Sequence, residues 1–415
     1  MDEAVRAVCH KARLAAPVLA RAGADRKNRI LEAVAATLRS NTSKILEANR
    51  KDLEEAEASG YPKPLLDRLL LNEPRINGIC DSVLDLVRLQ DPIGGGDRYV
   101  RPNGLVIMRT CVPLGVVGII YEARPNVTVD TAALCLKTGN AIVLRGGKEA
   151  LRTNRVLVDL MRKALVSQSF DPDLIGFVDA TSRESALALM SCREDVDVLI
   201  PRGGKGLIRA CAENAKIPLL ETGAGNCHLY VDASADLKKA LSIAINAKCQ
   251  RPSVCNAIET LLVHESVAAE FLPAFNAGTE SFHLEIRGCP RTCAILPSAG
   301  PATEEDWDTE YDAYILAVKV VSGLDEAIEH INRYSTHHSE AIVTESLENA
   351  RRFQQEIDSA CVYVNASTRF TDGGEFGFGA EVGISVQKLH ARGPMGLQAL
   401  TTVKYLIEGD GQIRT

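Results

Sequence analysis

From Pro113 onward the sequence alternates between short apolar stretches and amphipathic stretches, and this alternation restricts the fold more than any other feature. Strands are predicted at 115–121, 141–144, 175–178, 196–200 and 218–220, with a helix at 128–137 and another that ends near Leu165. Short apolar strands separated by helices indicate a doubly wound α/β domain with a parallel sheet. Such a sheet usually binds a nucleotide at the carboxyl ends of its strands.

The remainder of the chain adds helices before this region and a second α/β unit after it. Residues 2–89 carry apolar positions at helical spacing, such as Ile30, Val34 and Leu38. A domain crossing is predicted at 232–236, followed by a helix at 237–249 and strands near 258, 313–321, 341–344 and 361–365. The segment 400–407 is predicted to be an edge strand that pairs with another subunit, because no partner is evident in its own domain.

The composition is that of a globular protein of two or three domains, with 415 residues of which 46% are hydrophobic. A net charge of −7 argues against nucleic acids and anionic membranes as partners, because both require a basic surface. No apolar stretch reaches the roughly 18 to 20 residues of a membrane helix, and no signal-peptide pattern is expected. Twelve scattered cysteines without a C-x-x-C pair indicate reduced thiols. A cytoplasmic protein that acts on a small molecule is therefore expected.

Cys255 is the residue whose surroundings point most directly to chemistry. It follows Pro252 in a turn between a predicted helix that ends near Cys249 and the strand at 258–263. Arg251 lies four positions away, and a nearby arginine favours the charged form of a thiol. The alternative is a half-buried structural cysteine, since free cysteines are among the most buried residues. By itself this segment leaves both interpretations open.

Two short loops of the same composition each follow a predicted strand. They are Arg145-Gly146-Gly147-Lys148 and Arg202-Gly203-Gly204-Lys205. Glycines allow the backbone to approach a phosphate, and the helix that follows favours an anion at its start. The alternative is that each Gly-Gly pair only forms a tight turn from strand to helix. Neither loop is the G-x-G-x-x-G fingerprint of dinucleotide-binding domains.

Several segments resemble the aldehyde dehydrogenase superfamily and occur in the same order. They are Leu136–Arg145, Leu220–Asn226, Glu310 ahead of a strand, Asn365 and the Phe376–Gly377 loop. The resemblance implies the fold of that superfamily: a doubly wound cofactor domain, a second α/β catalytic domain and a small oligomerisation arm. It also implies that Glu310 holds the nicotinamide ribose.

Within the superfamily the chain is similar to the γ-glutamyl phosphate reductase (glutamate-5-semialdehyde dehydrogenase) family over essentially its whole length. The motifs are Tyr121–Thr128, Arg145–Lys148, Gln250–Asn256 and Val321–Ile342. The resemblance implies NADPH-dependent reduction of L-glutamyl 5-phosphate to L-glutamate 5-semialdehyde and phosphate, a step of proline biosynthesis. The expected domains are 1–96, 113–231 and 389–399 for NADPH, 232–388 for catalysis, and 97–112 with 400–415 as the arm.

The resemblance also implies roles for individual residues in the reaction. Cys255 would attack the acyl phosphate and form a thioester, while the Asn126 side chain and the Cys255 N–H would stabilise the oxyanion. For Asn126 the structural alternative is capping of the helix that starts near Thr128. Glu221 occupies the position of the water-activating glutamate of hydrolytic relatives. In a reductase that water would waste the activated substrate, so Glu221 is expected to orient the cofactor or buffer a proton.

The cofactor and substrate contacts form two sets. A cation at Lys148 would suit the 2′-phosphate of NADPH. The expected cofactor-binding residues are Arg145, Gly146, Gly147, Lys148, Gly203, Gly204, Glu221 and Glu310. The expected substrate-binding residues are Arg124, Arg251, His338, Ser339 and Phe376.

Spacing does not decide which arginine holds the substrate carboxylate, although bidentate recognition favours an arginine. The histidines at 330, 337 and 338 are expected to shape the substrate cleft or bind phosphate, with a polar helix terminus as the alternative. No metal site is expected, because two adjacent histidines do not readily bind one ion and no cysteine or carboxylate joins them at zinc spacing.

Two other functions stay open at this point: a hydrolytic aldehyde dehydrogenase that oxidises a semialdehyde to its acid, and a catalytically silent nucleotide-binding protein. Joint retention of Cys255, Asn126 and Glu310 argues against the silent protein. A homo-oligomer, dimer or tetramer, is expected through the arm. Association with the glutamate 5-kinase that makes the substrate is left open.

Overall fold

The computed structural model describes residues 2–414, which divide into two compact units. The first unit contains residues 2–222, 377–383 and 395–414. The second contains residues 223–376 and 384–394. Within the described residues no helix is both long and apolar enough to span a bilayer.

The first unit begins with five helices, as the sequence predicts for residues 2–89. Ile30, Val34 and Leu38 form part of the buried face of the second helix, and the side chain of Asn72 caps the fifth by accepting from the Arg75 N–H at 2.9 Å. The helices are α1 (Asp2–Ala20), α2 (Ala24–Ser40), α3 (Thr42–Ala58), α4 (Lys63–Leu69) and α5 (Glu73–Arg88).

Two sheets follow in the first unit. An antiparallel sheet contains β1 (Gly96–Val100), β2 (Val106–Pro113) and the C-terminal β16 (Thr401–Glu408), with β2 in the centre. A parallel sheet has the order β5-β4-β3-β6. Its strands and the helices after them are β3 (Val116–Tyr121), α6 (Pro125–Lys137), β4 (Ala141–Arg145), α7 (Leu151–Ser167), β5 (Ile175–Phe177), α8 (Arg183–Met190), β6 (Val198–Arg202) and α9 (Lys205–Asn214).

The parallel sheet confirms the predicted doubly wound domain, because β3 and β4 are buried along their whole length with helices between the strands. Two details differ from the prediction. The segment 218–220 makes only an isolated bridge between Leu199 and Leu219. The terminal strand β16 pairs with β2 of the same chain over eight residues, a long-range partner that no local pattern in the sequence indicates.

The second unit is built on a seven-stranded, entirely parallel sheet in the order β10-β9-β11-β8-β7-β12-β13. Its first half contains β7 (Cys227–Val231), α10 (Leu237–Cys249), β8 (Ile258–His264), α11 (Glu265–Thr279), β9 (Glu285–Gly288), α12 (Pro290–Ile295) and β10 (Gly300–Pro301). Its second half contains β11 (Ile315–Val321), α13 (Leu324–Tyr334), β12 (Ser339–Val343), α14 (Leu347–Glu356) and β13 (Cys361–Val364). A short antiparallel pair, β14 (Ile384–Ser385) and β15 (Gly393–Pro394), completes it.

The strand β7 was not predicted, although it lies in the middle of this sheet between β8 and β12. It is five residues long and fully buried. Its sequence, Cys-His-Leu-Tyr-Val, contains a histidine and so is not a continuous apolar run. The pairing of β7 with β8 shifts register next to Cys227, so that Glu259 is the extra residue of a bulge. Bulges of this kind commonly occur next to active sites, where they redirect side chains.

Candidate active site

In the first unit, three loops meet at the carboxyl edge of the parallel sheet. They follow β3, β4 and β6, which are adjacent strands. The backbone N–H of Gly204 donates to Glu122 Oε2 at 3.0 Å, and the Ala123 N–H donates to Glu149 Oε1 at 2.5 Å. Both predicted phosphate-binding loops are therefore connected to the loop after β3 through carboxylates. This edge is where a doubly wound sheet binds its ligand.

The four residues of the first glycine loop, 145–148, have different environments. Gly146 and Gly147 are buried at the end of β4, whereas the Lys148 side chain is exposed to solvent. Arg145 is 9% exposed, and its Nη2 donates to the carbonyls of Thr181 and Ser182 at 2.6 and 3.0 Å. Arg145 thus braces a neighbouring loop, and Lys148 is the cation available to an anionic ligand.

Asn126 lies in the first turn of α6, which begins at Pro125 rather than near Thr128. The residue at the N-cap position is Arg124, which is half-buried and forms no side-chain cap, so the capping alternative for Asn126 does not hold. Asn126 Nδ2 instead donates to Asp130 Oδ2 at 3.0 Å, one helical turn later. Burial raises the pKa of Asp130 to about 6, while the hydrogen bond from Asn126 and the charge of Arg202 oppose that rise.

Glu221 lies in the extended segment that follows the Leu199–Leu219 bridge and is half-buried. Its neighbour Thr222 donates from Oγ1 to the Pro201 carbonyl at 2.8 Å. Glu221 therefore lies next to a residue that is bonded to β6, in the unit that carries the two glycine loops.

In the second unit, Cys255 lies in a turn between α10 and β8, as predicted, and is half-buried. Its backbone is enclosed by the segment that leads into β7. A Cβ on Gly225 would overlap the Cys255 carbonyl, so only glycine fits there. Cys227 Sγ donates to the same carbonyl oxygen at 3.1 Å. Arg251, the predicted neighbour of the thiol, is exposed to solvent.

Glu310 is connected to the same segment, because its Oε1 accepts from the Gly225 N–H at 2.7 Å. The structure therefore brings Glu310 and Cys255 to the same residue, Gly225. Both lie at the amino edge of the seven-stranded sheet, Cys255 before β8 and Glu310 before β11. A single glycine thus couples the position of the predicted ribose ligand to that of the predicted nucleophile.

His338 and Ser339 lie under the Cys255 turn and have no exposed surface. His338 Nδ1 is 3.7 Å from Cys227 Sγ and 2.9 Å from Ser339 Oγ, which in turn is 2.7 Å from Thr371 Oγ1. Burial lowers the pKa of His338 to about 4, so its imidazole is neutral at pH 7. Both side chains are fully buried and His338 lies against Cys227, while their substrate contact stays a prediction.

Phe376 and His330 have other surroundings. Phe376 is 38% exposed, at the end of the second unit's main segment. His330 packs edge-on against Trp307 and His228, and burial lowers its pKa to about 2. Among residues 2–414 there is no group of three or more metal-ligating side chains that could hold an ion.

Sequence reasoning missed Arg369, whose guanidinium contacts residues on both sides of Cys255. Its Nε donates to Gln250 Oε1 at 3.0 Å, and its Nη1 donates to Asn256 Oδ1. The position of Arg369 in the sequence gives little signal, because it follows β13, whereas Cys255 precedes β8. Only the return of the chain to the amino edge of the sheet brings the two segments together.

The chain is similar to known proteins over nearly its whole length. The sequence model of the aldehyde dehydrogenase family matches residues 1–288 and 301–406. The γ-glutamyl phosphate reductase of Carboxydothermus hydrogenoformans is 56% identical over 417 residues, which cover 100% of both chains. The crystal structure of the γ-glutamyl phosphate reductase of Thermotoga maritima has a TM-score of 0.95 and 50% identity, and the match covers 99% of this chain and 100% of that one.

A more distant structure shows the fold alone. An engineered glycolyl-CoA reductase with bound NADP+ has a TM-score of 0.71 at 16% identity, covering 97% of this chain and 96% of that one. The full-length similarity to the two reductases is far closer. The chain belongs to the aldehyde dehydrogenase family and, within it, to the γ-glutamyl phosphate reductases.

Proposed function

We propose that the chain reduces L-glutamyl 5-phosphate to L-glutamate 5-semialdehyde and phosphate with NADPH, as a step of proline biosynthesis. One observation carries the proposal. A half-buried cysteine lies on a turn enclosed by Gly225 and Cys227, in a chain that is 50% identical over 99% of its length to a γ-glutamyl phosphate reductase.

The first half of the reaction is acyl transfer to Cys255. The thiolate attacks the acyl carbon of the substrate, and the C–O bond to phosphate breaks as the thioester forms. Donors must stabilise the oxyanion during this step, and the Cys255 N–H and the Asn126 amide are assigned to it. The hydrogen bond from Asn126 to Asp130 holds one of the two amide protons, so the other is left for the oxyanion.

The second half returns the enzyme to its thiol form. NADPH, when bound, supplies the hydride that reduces the thioester. The resulting hemithioacetal on Cys255 collapses, releasing the aldehyde and regenerating the sulfur. The same oxyanion donors act again, because the carbonyl oxygen carries charge in this step too.

The residues at the carboxyl edge of the first unit's sheet fit a cofactor that carries phosphates. Lys148 is an exposed cation three residues after the end of β4, and it is assigned to the 2′-phosphate. Gly146, Gly147, Gly203 and Gly204 line loops that meet at this edge. The Gly204 N–H donates to the carboxylate of Glu122. A phosphate that accepts from this N–H must therefore displace that carboxylate. Glu310 is assigned to the nicotinamide ribose, and Glu221 to orienting the cofactor or buffering a proton.

Arg124, Arg251 and Phe376 are assigned to the substrate, with either arginine as the carboxylate ligand. We also propose a homo-oligomer formed through the arm, in the cytoplasm. The sheet of β1, β2 and β16 leaves large apolar side chains exposed, including Tyr99, Val100, Tyr405 and Ile407. Size-exclusion chromatography with light scattering tests this assembly, and co-elution with glutamate 5-kinase tests the association that the resemblance leaves open.

The test of the reaction is NADPH oxidation in the presence of an in situ source of glutamyl phosphate. Cys255→Ser should abolish turnover and preserve NADPH binding, because an alcohol at neutral pH is a much weaker nucleophile than a thiol. Peptide mass spectrometry of enzyme quenched during turnover should show a glutamyl adduct at Cys255. The absence of that adduct during rapid turnover would contradict the proposed mechanism.

The reverse direction separates this function from a hydrolytic aldehyde dehydrogenase. Oxidation of the semialdehyde by NADP+ should require phosphate or arsenate as the acyl acceptor. Oxidation at the full rate without either anion would assign the chain to the hydrolytic class instead.

A further inference from the structure

The segment 368–371 and the Cys255 turn are joined by hydrogen bonds in both directions. Thr368 Oγ1 donates to the Asn256 carbonyl at 2.7 Å. Asn256 Nδ2 donates to the carbonyls of Arg369 and Thr371 at 3.3 and 2.9 Å, while Asn256 Oδ1 accepts from the Arg369 guanidinium. With Asn256 only 4% exposed, these bonds hold Arg369 in one place relative to the turn.

The guanidinium of Arg369 contacts both ends of that turn. It reaches Gln250 on one side of Cys255 and Asn256 on the other. Arg369 is half-buried, and burial lowers its pKa, whereas the nearby Cys255 raises it. An arginine stays protonated in such a setting. Because electrostatic coupling is reciprocal, a cation that is favoured by a thiolate favours the thiolate in return.

Other charged and titratable groups face the same position from neighbouring elements. Arg251, on the Cys255 turn, repels the guanidinium of Arg369, and Asp372, directly after the 368–371 segment, attracts it. Cys227 of β7 also interacts electrostatically with the thiol of Cys255 and with the guanidinium of Arg369. Cys227 does not compete for the charge, because burial raises its pKa well above that of an ordinary thiol. Cys255 is therefore the thiol on which Arg369 acts.

We propose that Arg369, rather than the exposed Arg251, is the residue that stabilises the thiolate of Cys255 and fixes the turn on which it lies. This inference rests on the proposed role of Cys255 as nucleophile. Arg369 is a positioning residue by this assignment: it acts through the sulfur and does not itself bond to the substrate. A purely structural role would fix the turn equally well without a positive charge, and the two roles predict different pH behaviour.

The experiment follows the pH dependence of iodoacetamide alkylation at Cys255, measured by peptide mass spectrometry on the full-length protein. Removal of an opposite charge at a half-buried thiol should raise its apparent pKa by about one unit. Arg369→Gln should therefore lower the alkylation rate about tenfold at pH values below both midpoints, and Arg369→Lys, which keeps the charge, should lower it less than threefold. Arg251→Gln is the matched control and should shift the midpoint by a much smaller amount.

A second variant, which removes a negative charge instead of a positive one, keeps the proposal testable if Arg369→Gln does not fold. Asp372 is exposed, and its carboxylate lies near Arg369. Asp372→Asn should move the alkylation midpoint to lower pH, because a competing negative charge is removed.

Three results would overturn the inference: an unchanged midpoint in Arg369→Gln, a larger shift in Arg251→Gln than in Arg369→Gln, or, where Arg369→Gln does not fold, an unchanged midpoint in Asp372→Asn. Each of these results would leave the proposed function standing, provided that the wild-type protein still forms the glutamyl adduct at Cys255. Absence of the adduct would remove the proposed function without bearing on the alkylation midpoints.

Discussion

Cys227 Sγ donates a hydrogen bond to the backbone carbonyl of Cys255 across 3.1 Å. The bond connects the first residue of β7 to the turn before β8, next to the point where the pairing of these strands shifts register. It requires Cys227 to stay protonated. Burial raises the pKa of Cys227, and the charge of Glu340 raises it further, so the thiol is a permanent donor at physiological pH.

We expect Cys227→Ala to lower kcat about three- to tenfold with little change in KM, since a hydrogen bond of about 0.5–1.5 kcal/mol that orients the nucleophile is lost. Cys227→Ser should recover most of the loss, because a hydroxyl donates to the same carbonyl. Cys227→Val fills the space without donating and should resemble the alanine variant. Cys249→Ala, which removes another buried thiol of the same unit, serves as the control. A serine variant as slow as the alanine variant would show that packing, and not donation, matters.

The second prediction concerns the choice of cofactor at Lys148. Lys148→Glu should weaken NADPH binding more than NADH binding, because the new carboxylate repels a 2′-phosphate that NADH lacks. Titration of each reduced cofactor with the protein, followed by the fluorescence of the nicotinamide, measures both dissociation constants. Lys205→Glu, in the second glycine loop, is the matched control and should affect the two cofactors alike. Equal losses for Lys148→Glu would remove Lys148 from the 2′-phosphate site.

The third prediction concerns Asp130, whose pKa burial raises to about 6. The unfolded value is lower, so the native state binds a proton more tightly, and stability is lost as pH rises through about 6. Asp130→Asn should therefore increase the free energy of unfolding by about 1 to 2 kcal/mol at pH 7.5 and change it little at pH 4. Urea unfolding at the two pH values measures this difference.

The activity of Asp130→Asn should fall, although its free energy of unfolding should rise. The carboxylate of Asp130 accepts from Asn126 Nδ2, and an asparagine in its place no longer fixes which way the Asn126 amide points. We expect kcat to fall at least fivefold while stability rises, a combination that marks a residue retained for function. Unchanged kcat in Asp130→Asn would remove this carboxylate from the orientation of Asn126.

The fourth prediction concerns the buried pair of Lys248 and Glu259, whose side chains are 0% and 1% exposed and 2.5 Å apart. Burial raises the pKa of Glu259 to about 8, and Lys248 opposes that rise. Without the cation the carboxylate is harder to ionise, so the destabilisation caused by Lys248→Met should be constant from pH 5 to about pH 7 and grow as the pH rises through about 8, where Glu259 ionises only in the protein that keeps Lys248. Denaturant unfolding across this range tests it.

The control for this pair is the double variant Lys248→Met with Glu259→Gln, which has no buried charge and should show no such growth with pH. The exposed pair of Arg50 and Glu54 offers a second comparison, because solvent-exposed ion pairs contribute little to stability. A pH-independent loss in Lys248→Met would show that the pair is held neutral over the whole range.

Much of the fold was evident in the sequence because its signals are local. The apolar runs of β3 and β4 and the helical spacing of Ile30, Val34 and Leu38 each report the environment of one element. The turn at Cys255 was predictable for the same reason, since a proline and polar residues separate α10 from β8. The motif order that resembles one enzyme family is likewise a property of the linear chain.

The assembly of the site depended on contacts between distant segments, which no local pattern records. Cys227, Cys255, Glu310 and His338 lie at the amino ends of four parallel strands, and they meet because β7, β8, β11 and β12 lie close together in one sheet. Arg369 joins them because the chain after β13 returns to that edge. The sequence by itself therefore determined most of the elements and the family, and it predicted Cys255 as the nucleophile. Only the tertiary structure decided that Arg369 contacts both ends of the Cys255 turn and that His338 is buried, because burial and side-chain contacts depend on which strands are neighbours.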